Sequence, residues 1–409
     1  MKFLRIPVVI SSLILTNHIY AAAFQYYELG TPIIGTAAVG QAALSSDAST
    51  AYFNPAGMAS LMKTQLMLGS EILIPFTEFN PNNENTVHGD DGGEAASLLP
   101  GMGLYYVYSY SPQLKFGVSL TSPYGGMLNY DDGWVGRYYV QQSEFYTLNL
   151  NPSVAYQFNQ KFAGGLGFSV EYANLYQTTA FPLPLDLPPP LEGPVEGQAT
   201  VKTHNTAFGF NAGLLFTPTA NTKVGMAYRS QIKHHLTGNT EFLRTLESAS
   251  TKTQMVMPQN IILSLDQKFN SFDLLAEAGW ANWASMKNSI VDIEGFTVET
   301  ELDWKNTYRV GLGGQYHMTP TLLLQTGVSY DSSPTTTSKR TPDLPVDRQI
   351  RAGIGMIYSV MRMIQIGFSY EYINFGDADI HNVSQNGVLA GSYSKNYANV
   401  LQASVNVEC

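Results

Sequence analysis

Six charged residues occupy alternating positions on strand-like stretches: Arg229, Lys233, Lys305, Arg309, Arg351 and Glu371. Alternation sets them all on the face opposite rows of Tyr, Val and Leu. If that face lines an enclosed space, the space must be wet or internally neutralised, because an unpaired charge there is expensive. Two chemistries fit. One is a ladder of structural ion pairs, which takes the larger share. The other is a cation held ready for a carboxylate head group. Lys305 is the preferred contact of that kind, with Arg309 and Arg351 beside it. Catalysis has no comparable support. His234 and His235 are adjacent, so on a strand they face opposite ways and cannot chelate one metal. No motif sets a Ser beside a His, and no Cys or His ligands stand at metal spacing. Neither an enzyme nor a cofactor is expected.

The elements that would position these charges are strands. Tyr308, Val310 and Leu312 alternate with Arg309, Gly311 and Gly313. Ile364, Ile366, Phe368, Tyr370 and Tyr372 alternate with Gln365, Gly367, Ser369 and Glu371. An apolar row ending in Tyr, opposite a polar or Gly row, is the pattern of an outer-membrane barrel. Beyond the first few residues, no apolar run reaches the roughly 18 residues of a membrane helix. A membrane protein without such helices must close a sheet. About fourteen strands tile residues 62–409. Short links such as Ser111-Pro112 and Asn159-Gln160 alternate with long ones near 79–99, 123–143, 179–198, 239–252, 285–303, 332–347 and 376–394. The fold expected is all-β, a 14-stranded antiparallel transmembrane β-barrel.

One stretch is not strand-like. Gly35–Leu61 is more than half Gly, Ala and Ser, and it cannot build a core alone. Asn54 suits an N-cap and Pro55 the first helical position, which predicts a short helix from Pro55 and a turn over Asp47–Phe53 that stops before it. Such a segment has to sit inside something larger. It is read as a hatch within the barrel, over residues 24–61.

The 409 residues are 13% charged and 12% aromatic, with 25 Tyr. Lys2 and Arg5, the apolar Ile6–Thr16 and Ala21-Ala22-Ala23 read as a secretory signal over 1–23, cut before Phe24. Its loss with Lys2 and Arg5 takes the formal net charge from −10 to −12. That excludes the basic patch a nucleic-acid partner needs. Glu84, Asp90, Asp91 and Glu94 read as solvated loop residues, or more weakly as cation-bridged contacts to anionic lipid heads. The single cysteine, Cys409, ends the chain and can form no internal disulfide.

Two stretches carry a functional reading beside a plain one. Phe181–Pro194 is proline-dense and apolar, and reads as extended polyproline structure. It serves as a rigid spacer or as a landing surface for a greasy ligand. At Thr121–Gly126, Pro123 cannot donate to a sheet and Gly125-Gly126 weakens pairing. This is a strand end, or a gap in the wall through which an apolar molecule leaves sideways.

Together these stretches resemble the FadL family of outer-membrane transporters for long-chain fatty acids and hydrocarbons. The likeness runs over nearly the whole chain after the signal. It includes GTAAVGQAALSSDASTAYFNPAG, GWVGRY at Gly133–Tyr138, LNLNPSVAY at Leu148–Tyr156, MPQNIILS at Met257–Ser264 and WKNTYRVGLGG at Trp304–Gly314. The resemblance implies a fourteen-stranded barrel with an N-terminal hatch, passive capture of a hydrophobic small molecule, hatch rearrangement and lateral release. It implies Phe24 as a pocket residue, Asn54, Pro55, Ala56 and Gly57 as the hatch anchor, and Lys305 as a head-group contact. The lateral gap falls near Pro123, Gly125 and Gly126 by the tiling of strands. Outer-membrane lipid and lipopolysaccharide are the expected surroundings, and a monomer the expected state. Such barrels usually end in an aromatic residue, and Cys409 departs from that. A structural or adhesive surface barrel is the alternative function, and a general porin the third.

Overall fold

The computed structural model describes residues 25–182, 196–243, 247–384 and 387–409. The signal-like start, Phe24 and most of Phe181–Pro194 lie outside these. The alternating stretches form twenty segments of one sheet. They are β1 (Gln65–Pro81), β2 (Leu99–Ser109), β3 (Leu114–Thr121), β4 (Gly125–Asn129), β5 (Gln142–Gln157), β6 (Phe162–Pro182), β7 (Glu196–Thr219), β8 (Thr222–Arg229), β9 (Ile232–Leu243) and β10 (Glu247–Met257). Next come β11 (Asn260–Lys268), β12 (Phe272–Ala281), β13 (Asn288–Ile293), β14 (Phe296–Glu301), β15 (Thr307–Thr319), β16 (Leu322–Asp331), β17 (Gln349–Met361), β18 (Ile364–Asn374), β19 (Ile380–Ser384) and β20 (Gly387–Glu408). Six pairs run in line, so the wall has fourteen antiparallel staves. β1 pairs with β20 from Gln65 opposite Glu408 to Pro81 opposite Gly391, which closes the barrel.

The two faces divide as the period of two dictates. Leu66, Leu68, Phe168, Leu312, Leu401 and Val405 are exposed on the outside. Asn149, Asn151, Ser169, Asn211, Gln402 and Asn406 are buried inside. That is an apolar band around a polar bore.

The strands outrun the sequence reading. The long connections expected over 239–252, 285–303 and 376–394 are largely sheet: β9 continues to Leu243 and pairs with β10, and β13 pairs with β14. The β13–β14 turn is Glu294-Gly295, with φ of 54° and 88°. Positive φ at both central residues is the two-residue hairpin geometry. These extensions rise past the apolar band. Segments such as Glu247–Met257 (ESASTKTQMVM) therefore have no greasy face, and the lipid signature is missing from their sequence.

A second correction concerns Lys233, which the alternation put inside. Arg229 lies opposite Asn211, whereas Thr237 lies opposite His204. Between those pairs β8–β9 carries one residue more than β7, and a one-residue bulge reverses the facing of all that follows. Lys233 is exposed and His234 is buried. His234 and His235 do face opposite ways, as adjacency requires.

The leading segment lies within the ring. It makes short turns at Pro32–Thr36, Thr50–Phe53 and Pro55–Ser60. As the sequence suggests, the second turn ends at Asn54, whose side chain accepts from Ala56 N at the start of the third. The Asn54 amide also donates to Ala42 O at 2.6 Å and to Leu214 O of β7 at 3.1 Å. The wall admits the segment through inward-facing glycines. A Cβ on Gly69, Gly225, Gly327 or Gly353 would collide with the carbonyl oxygen of Gly30, Ala42, Thr36 or Ile34 respectively. The small residues of the segment and the bare positions of the wall are thus one packing solution, with backbone against backbone.

Candidate functional site

The site begins at a fault in the wall. β2 pairs with β3 only from Ser109 opposite Lys115 to Leu104 opposite Leu120. Contact with this side resumes at the isolated bridge Ala96–Leu128. Between these, Pro123–Gly126 has no strand partner on the β2 side among the described residues. The sequence explains the fault, since Pro123 lacks an N–H and the two glycines add no side-chain packing. The leading segment covers the fault from inside. Gln25 bridges Tyr124, and Tyr26 N donates to Pro123 O at 2.9 Å.

A cavity of about 70 Å³ opens at this point. Leu73, Leu99, Met127, Val346, Ile373 and Phe375 give it an apolar lining. Gly125, Gly126, Gln25, Tyr26 and Arg351 complete the wall. Towards the longer connections lies an apolar cluster that includes Tyr124, Phe145, Leu175, Ile232, Leu236, Trp283 and Trp304. Trp283 packs edge-on to Trp304 at 5.9 Å and to Tyr124 at 6.4 Å. The connection after β16 folds inward to join the cluster through Leu344 and Val346. Arg340 braces that fold, donating to Val346 O at 3.1 Å and pairing with Asp347 at 2.9 Å.

Two of the buried arginines are paired with carboxylates. Arg309 meets Glu277 at 3.1 Å and Asp331 at 2.7 Å, and donates to Ala37 O at 2.7 Å. Arg351 meets Glu28, and Glu371 at 3.3 Å. The ring of Tyr27 lies 4.2 Å from the Arg309 guanidinium and 5.1 Å from that of Arg351. Tyr27 donates its hydroxyl to Asp331 at 3.2 Å. Burial pushes the Tyr26 and Tyr27 hydroxyls up from the ordinary phenol range, so both remain protonated donors. This network ties Tyr27 and Glu28 to five staves, through residues on β12, β15, β16, β17 and β18. Both residues escape a sequence reading, because their partners lie some 300 positions away.

Lys305 is placed differently from its alternation. Residues 302–306 lie between β14 and β15, where the two-residue period does not apply. Leu302 and Trp304 take the buried positions and Lys305 is exposed. Arg229 is inside. It donates to Tyr52 O at 2.8 Å and to Ser169 Oγ at 3.3 Å, with its guanidinium 3.9 Å from the Tyr52 ring. A layer away, the buried pair His234 and Glu171 meet at 3.2 Å, and Asn149 donates to the other Glu171 oxygen at 2.8 Å.

A closed barrel with a greasy outer band, its bore filled by its own leading chain and its wall broken at one stave, is an outer-membrane transport barrel. Residues 12–408 match the family described as outer membrane protein transport protein (OMPP1/FadL/TodX), and the chain belongs to that family. It is a family of transport proteins rather than enzymes, and its members sit in the outer membrane.

The long-chain fatty acid transport protein of Escherichia coli O6:H1 is 23% identical over 406 residues, covering 90% of this chain and 91% of that protein. Outer membrane protein P1 of Haemophilus influenzae is 24% identical, covering 86% of each. The crystal structure of a Pseudomonas aeruginosa FadL homologue shares the fold at a TM-score of 0.87 and 23% identity, covering 95% of this chain and 100% of that one. The Pseudomonas putida toluene transporter TodX does so at 0.67 and 15% identity, covering 96% and 99%.

Proposed function

We propose that this protein takes up long-chain fatty acids or similar hydrophobic molecules by passive binding, hatch rearrangement and lateral release. The observation that carries the reading is the apolar cavity at the broken stave, shut from inside by Gln25 and Tyr26. Each buried CH₂ contributes roughly 0.8 kcal/mol. An acyl chain or an aromatic ring therefore gains from such a lining what a water-filled pore cannot give it. Movement of the leading residues away from Pro123, Gly125 and Gly126 then exposes the cavity to the lipid beside β2.

Within this reading the residues divide the work. Exposed Lys305 meets the arriving head group, and Phe24, which lies outside the described residues, is assigned to the pocket by the family resemblance alone. Arg351 reaches the cavity wall, and with Arg309 it holds Tyr27 and Glu28. Asn54, Pro55, Ala56 and Gly57 anchor the hatch body over residues 24–61, so that only its leading end moves. The printed names of the relatives cover both fatty acids and toluene, and the interior suits either. The test is uptake of a labelled long-chain fatty acid and of labelled toluene by cells lacking the protein, with and without complementation. Uptake restored by the wild-type chain supports the reading. Uptake that is the same in all three strains removes it.

A further inference from the structure

The bulge that turns Lys233 outward sets a cation at the edge of the lipid band. On β7 the exposed row runs Phe210, Phe208, Thr206, His204, Lys202, so the apolar band ends at Phe208. Thr237 lies opposite His204, and counting down from that pair puts His235 level with Thr206 and Lys233 level with Phe208. Thr237 also lies opposite Lys252 of β10. Lys233, His235, His204 and Lys252 are all exposed on this outer face. Neighbouring strands stand about 4.8 Å apart, and alternate residues of one strand about 6.5 Å apart. His204, His235 and Lys252 therefore share a patch about 10 Å across at Cα, with Lys233 one step below it.

The charges of this patch are unanswered. Lys202, a row above, meets Glu241 at 2.8 Å, and Lys395 on β20 meets Glu78 at 2.7 Å. Neither Lys233 nor Lys252 has a carboxylate within 4 Å among the described residues. Asp292 lies opposite Lys252 on β13, but its oxygens accept from Gly295 N at 3.1 Å and Thr297 Oγ1 at 2.9 Å. Glu294 accepts from Ser250 N at 2.8 Å. An amine at the rim of the hydrocarbon, without a counter-charge, is costly unless it reaches up to an anion at head-group level.

We propose that this patch binds the phosphorylated sugar head of lipopolysaccharide. The β9–β10 hairpin rises on the side of the long connections, which is the cell exterior. The lipid beside it is therefore that of the outer leaflet. Lys233 and Lys252 stand about 14 Å apart at Cα, a spread that fits a head bearing more than one phosphate. Lysine is a good phosphate binder, and each imidazole offers an N–H in either protonation state. Below the patch lies a wall for acyl chains. Phe168 stacks on Phe208 at 5.8 Å, and Phe210 lies 5.7 Å from Tyr228. The site is on the outside of the barrel and does not depend on the uptake reading.

The test uses the full chain in detergent with EDTA present, titrated with lipid A, with dephosphorylated lipid A and with phosphatidylglycerol, and read by native mass spectrometry. The wild type should prefer lipid A to both other lipids. Lys233→Gln and Lys252→Gln should each lower lipid A affinity about fivefold, and together about thirtyfold, with binding of the dephosphorylated form unchanged. Lys233→Arg should retain the affinity, and Lys202→Gln, whose charge Glu241 already answers, should change it little. Folding is checked by heat-dependent gel mobility, and Lys252→Gln is the variant read if Lys233→Gln does not fold. Equal wild-type affinity for lipid A and its dephosphorylated form overturns the proposal. So does an equal loss in Lys202→Gln, the mark of a diffuse attraction. Phosphatidylglycerol bound as tightly as lipid A overturns the assignment to a glycolipid.

Discussion

The amide of Tyr26 donates to the carbonyl of Pro123 at 2.9 Å, so a residue near the start of the described chain pairs a wall carbonyl that has no strand partner on the β2 side. One hydrogen bond and one neighbouring bridge close the fault. Most of the segment behind them is held far more firmly, by buried ion pairs and by backbone packed on glycine.

Locking that closure should block transport. Gln25 and Tyr124 are bridge partners. Bridged antiparallel residues stand roughly 4.5–5.5 Å apart at Cα, within disulfide reach. In a Cys409→Ser background, Gln25→Cys with Tyr124→Cys should abolish fatty acid uptake when oxidised and recover it on reduction. Uptake that ignores the redox state would mean that this contact does not open.

Asn54→Ala should loosen the segment while sparing the barrel. It removes the bonds to Ala42 O and Leu214 O and the cap on Ala56 N. The expected loss is ~1–3 kcal/mol of local stability. Hydrogen exchange over residues 42–57 should rise, with exchange in β5 to β7 unchanged.

Gly57→Val should impair uptake without stopping insertion. Even a Cβ at this position meets the Thr50 hydroxyl, with Ser45 Cβ 3.2 Å away. Overpacking of this kind costs ~1–3 kcal/mol. Normal uptake by a folded Gly57→Val barrel would count against a moving hatch.

The inward fold of the connection after β16 should weaken as pH rises. Burial holds the Asp343 carboxyl well above the usual carboxylate range, against the opposing hydrogen bond from Thr341. A folded pKa above the unfolded one means that the stabilisation is complete below about pH 4 and is lost as pH climbs through the folded value. Protection of residues 339–346 against hydrogen exchange should therefore be greater at about pH 5 than at about pH 8. Asp343→Asn should remove the difference.

Much of this was legible in the sequence, for stated reasons. Where lipid touches the wall, the period of two is enforced, and β15 and β18 read correctly. Asn54-Pro55 and Pro123 act on their own backbone, so turn chemistry located both. Signals failed where physics was not local. The β8–β9 bulge turned Lys233 outward, and no residue type announces it. Lys305 lies off any strand. The hairpins above the lipid carry no greasy face. The pairing of Glu28 with Arg351 spans the barrel, and only closure brings the two together.

The glycine contacts carry a mechanical consequence. Where carbonyls of the stopper rest on bare backbone of several staves at once, it has no clearance to slide along the axis. Emptying the tube would mean breaking those seats together with the ion pairs at Arg309 and Arg351. On the uptake reading proposed above, a solute passes beside the stopper and sideways through the rim of the fault.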